Sequence, residues 1–424
     1  MSIDAHHIAS TRFGLGPRPG ELAQIKQVGA QRWLEQQLTQ TGPQFDNGPL
    51  HALLSQPGRS DEPEARKARS KRARQEAQRQ VQYRHQYALS SDAPLLERLS
   101  HFWTNHFAVS IDKRPVLMLA GAMERDAIRP HLTGRFSDML SAVCRHPAML
   151  LYLDNAQSAG PNSRVGMKRN KGLNENLARE ILELHTLGVD GPYGQPDVEA
   201  LAAMLTGWSV DRGTGGGFVF RPAMHQSGPQ TLLGKRYPDT QEQQAQQALQ
   251  ALARHPATAQ FLATKLARHF IADEPSAELV ATLAKTYRDH DTSLKAMTIA
   301  MIRHPHSWRI ERQKWRQPIQ YLYGVGRAIG LDDGAQLERL ARQLAQPTYQ
   351  PGSPAGWPDT AQAWRSASAL ASRAEVAQLA AKRSDHSAEQ LAASLGIEPR
   401  WPDSPLSATD QRYLLLMHPQ LLEV

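Results

Sequence analysis

The chain has 424 residues, 40% of them hydrophobic and 21% charged, with a formal net charge of +8. That is an ordinary composition for a globular protein, long enough for two or three average domains or one large helical one. One cysteine, Cys144, excludes an internal disulfide and a cysteine-rich metal site, and no apolar run is long enough to span a bilayer.

The start, MSIDAHHIASTRFGLG, has no basic stretch followed by an apolar one. No signal peptide is read there, so the expected location is cytoplasmic. Residues 1–60 read as an N-terminal helix, from about Glu21 to Leu38, and a polar loop rich in proline and glycine. Residues 61–90 read as a basic helical appendage, because EARKARSKRARQEAQRQVQYRHQ is helix-prone and almost free of large apolar side chains. Clustered Lys and Arg suit phosphates, but base-stacking aromatics are missing until Tyr83, so nucleic acid ranks last among partners.

Residues 91–385 read as a helical core. SSDAPLLERLSHFWTNHFAVS opens it with Asp92 as a cap and Pro94 in the first turn. Further helices fit about Phe136–Leu153, Asn174–Leu187, Asp197–Thr206, Gln241–Arg254, Ala257–Ala272, Ala277–Asp289, Ser293–Arg303, Pro318–Ile329, Gly334–Leu344 and Thr360–Ala381. Arg-His-Pro recurs at 145–147, 254–256 and 303–305 and reads as helix punctuation. Residues 207–238 break the pattern: FVF and TLLG read as short strands and GTGGG as a turn, so a small β-hairpin insertion is expected. Residues 386–424 read as a C-terminal helix and tail. The fold class is therefore mainly α, a single large multi-helix domain with a small hairpin.

NENLAREILELHTLG, Asn174 to Gly188, is the richest polar stretch. Successive residues of a regular helix are about 100° apart. On that wheel Leu177, Ile181 and Leu184 are buried, whereas Asn176, Arg179, Glu180 and Glu183 share the other side. One reading is a solvated face, with Arg179–Glu183 an i,i+4 ion pair, Asn174 a cap and Gly188 a stop. The other is a cleft in which two close carboxylates are driven apart in pKa into an acid and a base. The spacing allows no single-metal set from Glu180, Glu183 and His185, and no metal or cofactor is assigned.

In HFWTNHF, His106 falls on the apolar side, where a hydrogen-bonded core histidine is the simpler reading. His225, in RPAMHQSG, lies in the irregular segment, where functional side chains concentrate. Trp208 closes LTGW at the head of that segment. VDGPYGQPDVE resembles a calcium loop but lacks its acidic pattern. GTGGG opens no helix after a buried strand, so it is no dinucleotide fingerprint, and neither a P-loop nor a nucleophile elbow is present.

Five stretches together resemble the bacterial family called domain of unknown function 1800: ASTRFGLGPRPGEL, LSHFWTNHFAVS, the run from NENLARE through ELHTLG to LTGW, HPATAQFLATKLARHFIADEP and SPAGWPD. The resemblance covers about Ile8 to Ala381 and is most specific in the NENLARE run. It implies one mostly helical unit and assigns no reaction. It matches at Asn174, Glu175, Asn176, Arg179, Glu180, Glu183, His185 and Thr186, which favours a functional polar face. Relatives often have His-Asp where this chain has His225-Gln226, so an acid or ligand role at 226 is absent here. The resemblance also implies a partner, an alkaline-phosphatase-like, Tat-exported family (domain of unknown function 1501), and export alongside it.

The expectation is a hydrolase with Glu180, Glu183 and Arg179 as catalytic residues and Asn176, His225, His106 and Trp208 as substrate contacts. Its substrate would be anionic or polyhydroxylated. The alternative is a non-catalytic binding partner of the alkaline-phosphatase-like protein through the same face.

Overall fold

Four helical segments begin at a His-Pro pair, and in each the imidazole is the cap. Nδ1 of His146, His255, His304 and His418 accepts from the backbone N–H two residues on, at 3.1, 3.1, 3.2 and 3.3 Å. Proline takes the first helical position, where a missing N–H costs no hydrogen bond. The Arg-His-Pro tripeptides are thus helix starts, and a fourth His-Pro joins them at 418–419.

The structure, a computed structural model, describes residues 5–40, 42–43, 45–46, 50, 53–54, 62–169, 172–211, 216–309, 311, 314–399, 401 and 405–424. Much of the expected loop before residue 63, and most of GTGGG, lie outside these. The fold is mainly α. The expected first helix is two, α1 (Glu21–Val28) and α2 (Ala30–Gln37), because Gly29 at φ 91° breaks the run. Then come α3 (Pro63–Ser90), α4 (Pro94–His106), α5 (Phe136–Arg145) and α6 (Pro147–Tyr152). α7 (Asn176–Glu180) runs into a π-helical turn at Ile181–Thr186. α8 (Gln195–Leu205) precedes two small antiparallel hairpins, β1 (Trp208–Val210) with β2 (Phe218–Phe220), and β3 (Gln230–Leu232) with β4 (Lys235–Tyr237). The insertion is therefore two hairpins, FVF forming β2 and part of TLLG falling in β3.

α9 (Glu242–Ala253), α10 (Pro256–Phe270), α11 (Ala277–Asp289) and α12 (Leu294–Arg303) complete the first half. α13 (Pro318–Ala328), α14 (Gly334–Gln343), α15 (Ala367–Arg383), α16 (Ala388–Leu395) and α17 (Ala408–Leu416) form the second. No described helix is long and apolar enough to cross a membrane.

Two hydrophobic cores result among the described residues. The larger gathers Phe13, Phe102, Trp103, Phe107, Phe136 and Tyr287 with the helices up to α12. The smaller gathers Tyr321, Tyr323, Leu337, Val376, Leu391 and Leu416, so the segment after residue 386 is part of a core. Leu15, Ala88 and Leu89 also belong to this smaller core, so the N-terminal segment and the end of α3 join it. At the seam Gly16 lies so close to α13 that a Cβ there would be 2.8 Å from the Gly324 Cα. Arg327, fully buried, ties α13 to Glu21 at 2.9 and 3.1 Å and to the carbonyl oxygens of Gly16, Ala88, Leu89 and Ser91.

The basic helix α3 divides at Glu76. Its first half is almost wholly exposed, whereas Glu76, Ala77, Gln80, Val81, His85, Ala88 and Leu89 are buried. Arg84 holds Glu124 at 2.8 Å, in a buried network in which Arg129 pairs with both Glu97 and Glu124 and the Tyr349 hydroxyl donates to Glu124 at 2.8 Å. Burial alone would raise the Glu124 carboxyl, but the two guanidiniums outweigh it and hold it down at about 2. Only the N-terminal half of the basic run is an appendage in packing terms.

Candidate functional site

α4 is the hub on which the motif stretches converge. His106 Nε2 lies 3.1 Å from the carbonyl oxygen of His185, in the π turn after α7. Asn105 clamps the SPAGWPD loop from both sides, its amide donating to the Trp357 carbonyl at 2.9 Å and accepting from the Trp357 N–H at 2.7 Å. Gly356 permits this approach: its φ is +80°, and a Cβ there would collide with the Asn105 backbone and lie 2.6 Å from its Oδ1. Arg98 donates to the carbonyls of Gly14 and His269, at 3.2 Å each, and lies over the Phe270 ring. Stretches far apart in sequence thus meet on one thirteen-residue helix.

The polar face of α7 is in place. Arg179 binds Glu175 at 3.0 Å and lies 3.6 Å from Glu183, both i,i+4 contacts, and Gln195 of α8 bonds both Arg179 and Glu175. The cap position is Glu175, with no side-chain cap bond, and the expected cap Asn174 lies one residue earlier, accepting from the Asn176 N–H at 2.9 Å; Asn176 itself is exposed. Glu180 is half-buried, and its carboxyl is raised above the usual range by burial, then by the charge of Glu183, with Arg179 opposing. Glu180 also raises the Tyr152 phenol, and Glu183 the Tyr193 phenol, although burial is the larger cause in both. Two tyrosines therefore flank the two carboxylates.

The π turn changes the phase of the helix. Thr186 Oγ1 bonds back to the Ile181 carbonyl at 2.6 Å, five residues earlier. The wider turn buries Leu182, His185 and Thr186 and leaves Leu184 half-exposed, where the regular wheel buries Leu184. Such turns recur at functional sites.

The other expected contacts are elsewhere. His106 is 2% exposed inside a ring of Phe102, Trp103, Phe107, Phe136 and Phe261, and Trp208 is 0% exposed against Phe218. Both are core residues with no surface to offer a substrate. His225 is turned inward, its Nδ1 3.1 Å from the Thr206 carbonyl and its Nε2 3.7 Å from Asp239, so it pins the hairpin insertion to the end of α8. The neighbouring Gln226 accepts from the Asn162 N–H at 3.1 Å, a structural task.

A second polar centre was missed in the sequence. His269, buried at the end of α10, has Nδ1 2.9 Å from Asp359, two residues after Trp357. Asp359 also accepts from Gln317 at 2.8 Å and lies 3.4 Å from Lys314. These charges hold the Asp359 carboxyl below the usual range despite its burial. Burial lowers His269, so the ring stays neutral. No local signal joins positions 269 and 359; only the acid after Trp-Pro was visible. Among the described residues no group of three or more His, Cys, Asp or Glu is arranged to hold a metal ion. Cys144 is buried, with its thiol pushed far up by desolvation, and is chemically quiet.

No curated protein and no solved structure matches this chain. One family profile does, over residues 8–419, which is nearly the whole sequence and includes every stretch that meets on α4. The chain therefore belongs to the family described as protein of unknown function (DUF1800).

Proposed function

We propose that this protein is a hydrolase in which Glu180 and Glu183 are an acid–base pair acting on an anionic or polyhydroxylated substrate. The observation that supports it is the unequal setting of the two carboxylates. Glu180 is half-buried and raised by burial and by its neighbour's charge, while Glu183 has Arg179 at 3.6 Å. A raised carboxyl beside an ion-paired one can divide the two roles. Glu183 takes a proton from water as the water oxygen bonds to the substrate's electrophilic atom. Glu180 gives its proton to the leaving oxygen as that bond breaks. Arg179, partly exposed, orients Glu183 and offers positive charge to an anionic group.

The test is Glu180→Gln and Glu183→Gln beside wild type, assayed on panels of phosphate esters, carboxylic esters and glycosides, with thermal melts. If the face is merely solvated, losing the exposed Arg179–Glu183 pair costs about 0.3–0.5 kcal/mol and changes no activity. The proposal expects hydrolysis to fall at least about 100-fold, as loss of a general acid or base does, with melting unchanged or raised. Variants that melt and act like wild type end it. The alternative, a non-catalytic partner of an alkaline-phosphatase-like protein, expects no hydrolysis by wild type and loss of complex formation in the same variants.

A further inference from the structure

A pocket opens at the seam of the two cores, between α4, α13, the end of α10 and the loop that carries Trp357. Its volume is about 60 Å³, less than half of a cavity that admits benzene, at about 150 Å³. Asn105, Gln320, His101, His269 and Trp357 are among its walls, and none of them belongs to the polar face of α7.

The hydrogen-bond polarity of one wall is fixed by a chain of amides. The backbone N–H of Ile319 can only donate, so the Gln346 atom 2.9 Å away is its oxygen. The Gln346 nitrogen therefore donates to the Gln317 oxygen at 3.0 Å, and the Gln317 nitrogen donates to Asp359. Asp359, ionised, can only accept, so His269 carries its proton on Nδ1. That leaves Nε2 of His269 as a lone-pair acceptor. It has no hydrogen-bond partner among the described residues, and neither has Gln320 Oε1; both residues are more than nine-tenths buried. Both ring nitrogens of His101, which stacks on Tyr323, are likewise without one. Buried polar atoms of native proteins are rarely left so.

These atoms select a ligand by sign. His269 Nε2, and Gln320 Oε1 in the orientation shown, accept, whereas the neutral His101 ring offers one N–H donor and one acceptor. A hydroxyl, which both donates and accepts, suits this mixed set, and an acceptor-only carboxylate or phosphate oxygen cannot pair with His269 Nε2. The nearby charges are already paired, Asp359 with Lys314 and Arg84 with Glu124, so a cation gains no free counter-charge. We propose that this pocket is a binding site for the hydroxyl-bearing end of a small neutral polyol or sugar, with His269 Nε2 and Gln320 Oε1 accepting from its hydroxyls and Trp357 flanking its carbon skeleton. This site stands apart from the Glu180–Glu183 reading and survives its failure.

The experiment titrates the full chain with glycerol and with glucose, following the His269 ring nitrogens by ¹⁵N NMR and binding by calorimetry. The expected result is saturable binding with a shift at His269 Nε2. Gln320→Met, which keeps the side-chain volume, should weaken it about ten-fold, the equivalent of one hydrogen bond. His269→Gln should do the same; if that variant does not fold, Gln320→Met decides alone. Binding should persist in Glu183→Gln, which separates this site from the carboxylate pair. Absence of saturable binding, as for a pocket that holds water only, overturns the proposal. So does a preference for inorganic phosphate over glycerol, or binding that Gln320→Met leaves unchanged.

Discussion

At the scale of single residues, the histidines differ in what their ring nitrogens meet. Those before proline spend Nδ1 on a helix start, and His269 spends it on Asp359. Burial pushes His146 down to about 4 and His185 to about 3, from 6.5. Between those values the unfolded chain binds more protons than the folded one, so stability rises with pH. The stabilisation is complete above pH 6.5 and is lost as pH falls through 6.5 towards 4 and then 3. Melting temperatures from pH 8 to pH 4 should therefore drop on the acid side, and His185→Gln should make the drop shallower. An equal slope in that variant would show that His185 is not held neutral. Gly356 is the second test at this scale. Gly356→Ala meets both a positive φ and the Asn105 backbone, and should cost about 1–3 kcal/mol or displace the Trp357 loop. Chemical denaturation and Trp fluorescence measure both.

At the scale of elements, spans were legible where end signals were strong. Ala277–Asp289 was read to the residue, and Pro318–Ala328 and Gly334–Gln343 to within one, because Ser276, Pro318 and Asp333 mark their starts. The phase of the polar helix was less legible, since a π turn leaves no mark in a wheel that assumes regular spacing. The basic run was misleading for a different reason. Its second half is anchored by Glu76, Gln80, His85 and Arg84, polar residues that a hydrophobicity reading passes over. Removing residues 63–75 should leave the melting temperature within a degree or two, as expected for an exposed segment. Extending the deletion to residue 82 removes Glu76, Ala77, Gln80 and Val81 from their packing and should cost several kcal/mol. Equal melting of the two deletions would contradict the division at Glu76.

At the scale of the whole molecule, the mainly α class followed from periodicity, but the meeting of motifs on α4 did not. Asn105 touches a residue 252 positions away, and His269 one 90 away, and no local pattern encodes such pairings. The carboxylate pair was visible because both members lie on one helix; the His269–Asp359 centre was not, because its halves come from two sides of a seam. The central functional claim is that Glu180 and Glu183 are an electrostatically coupled pair, and it is tested most directly by carboxyl ¹³C titration of Glu180. A coupled pair gives Glu180 a midpoint above the ordinary 4.5 that moves down when Glu183 is replaced by glutamine. A midpoint at the ordinary value, unmoved by Glu183→Gln, would contradict it.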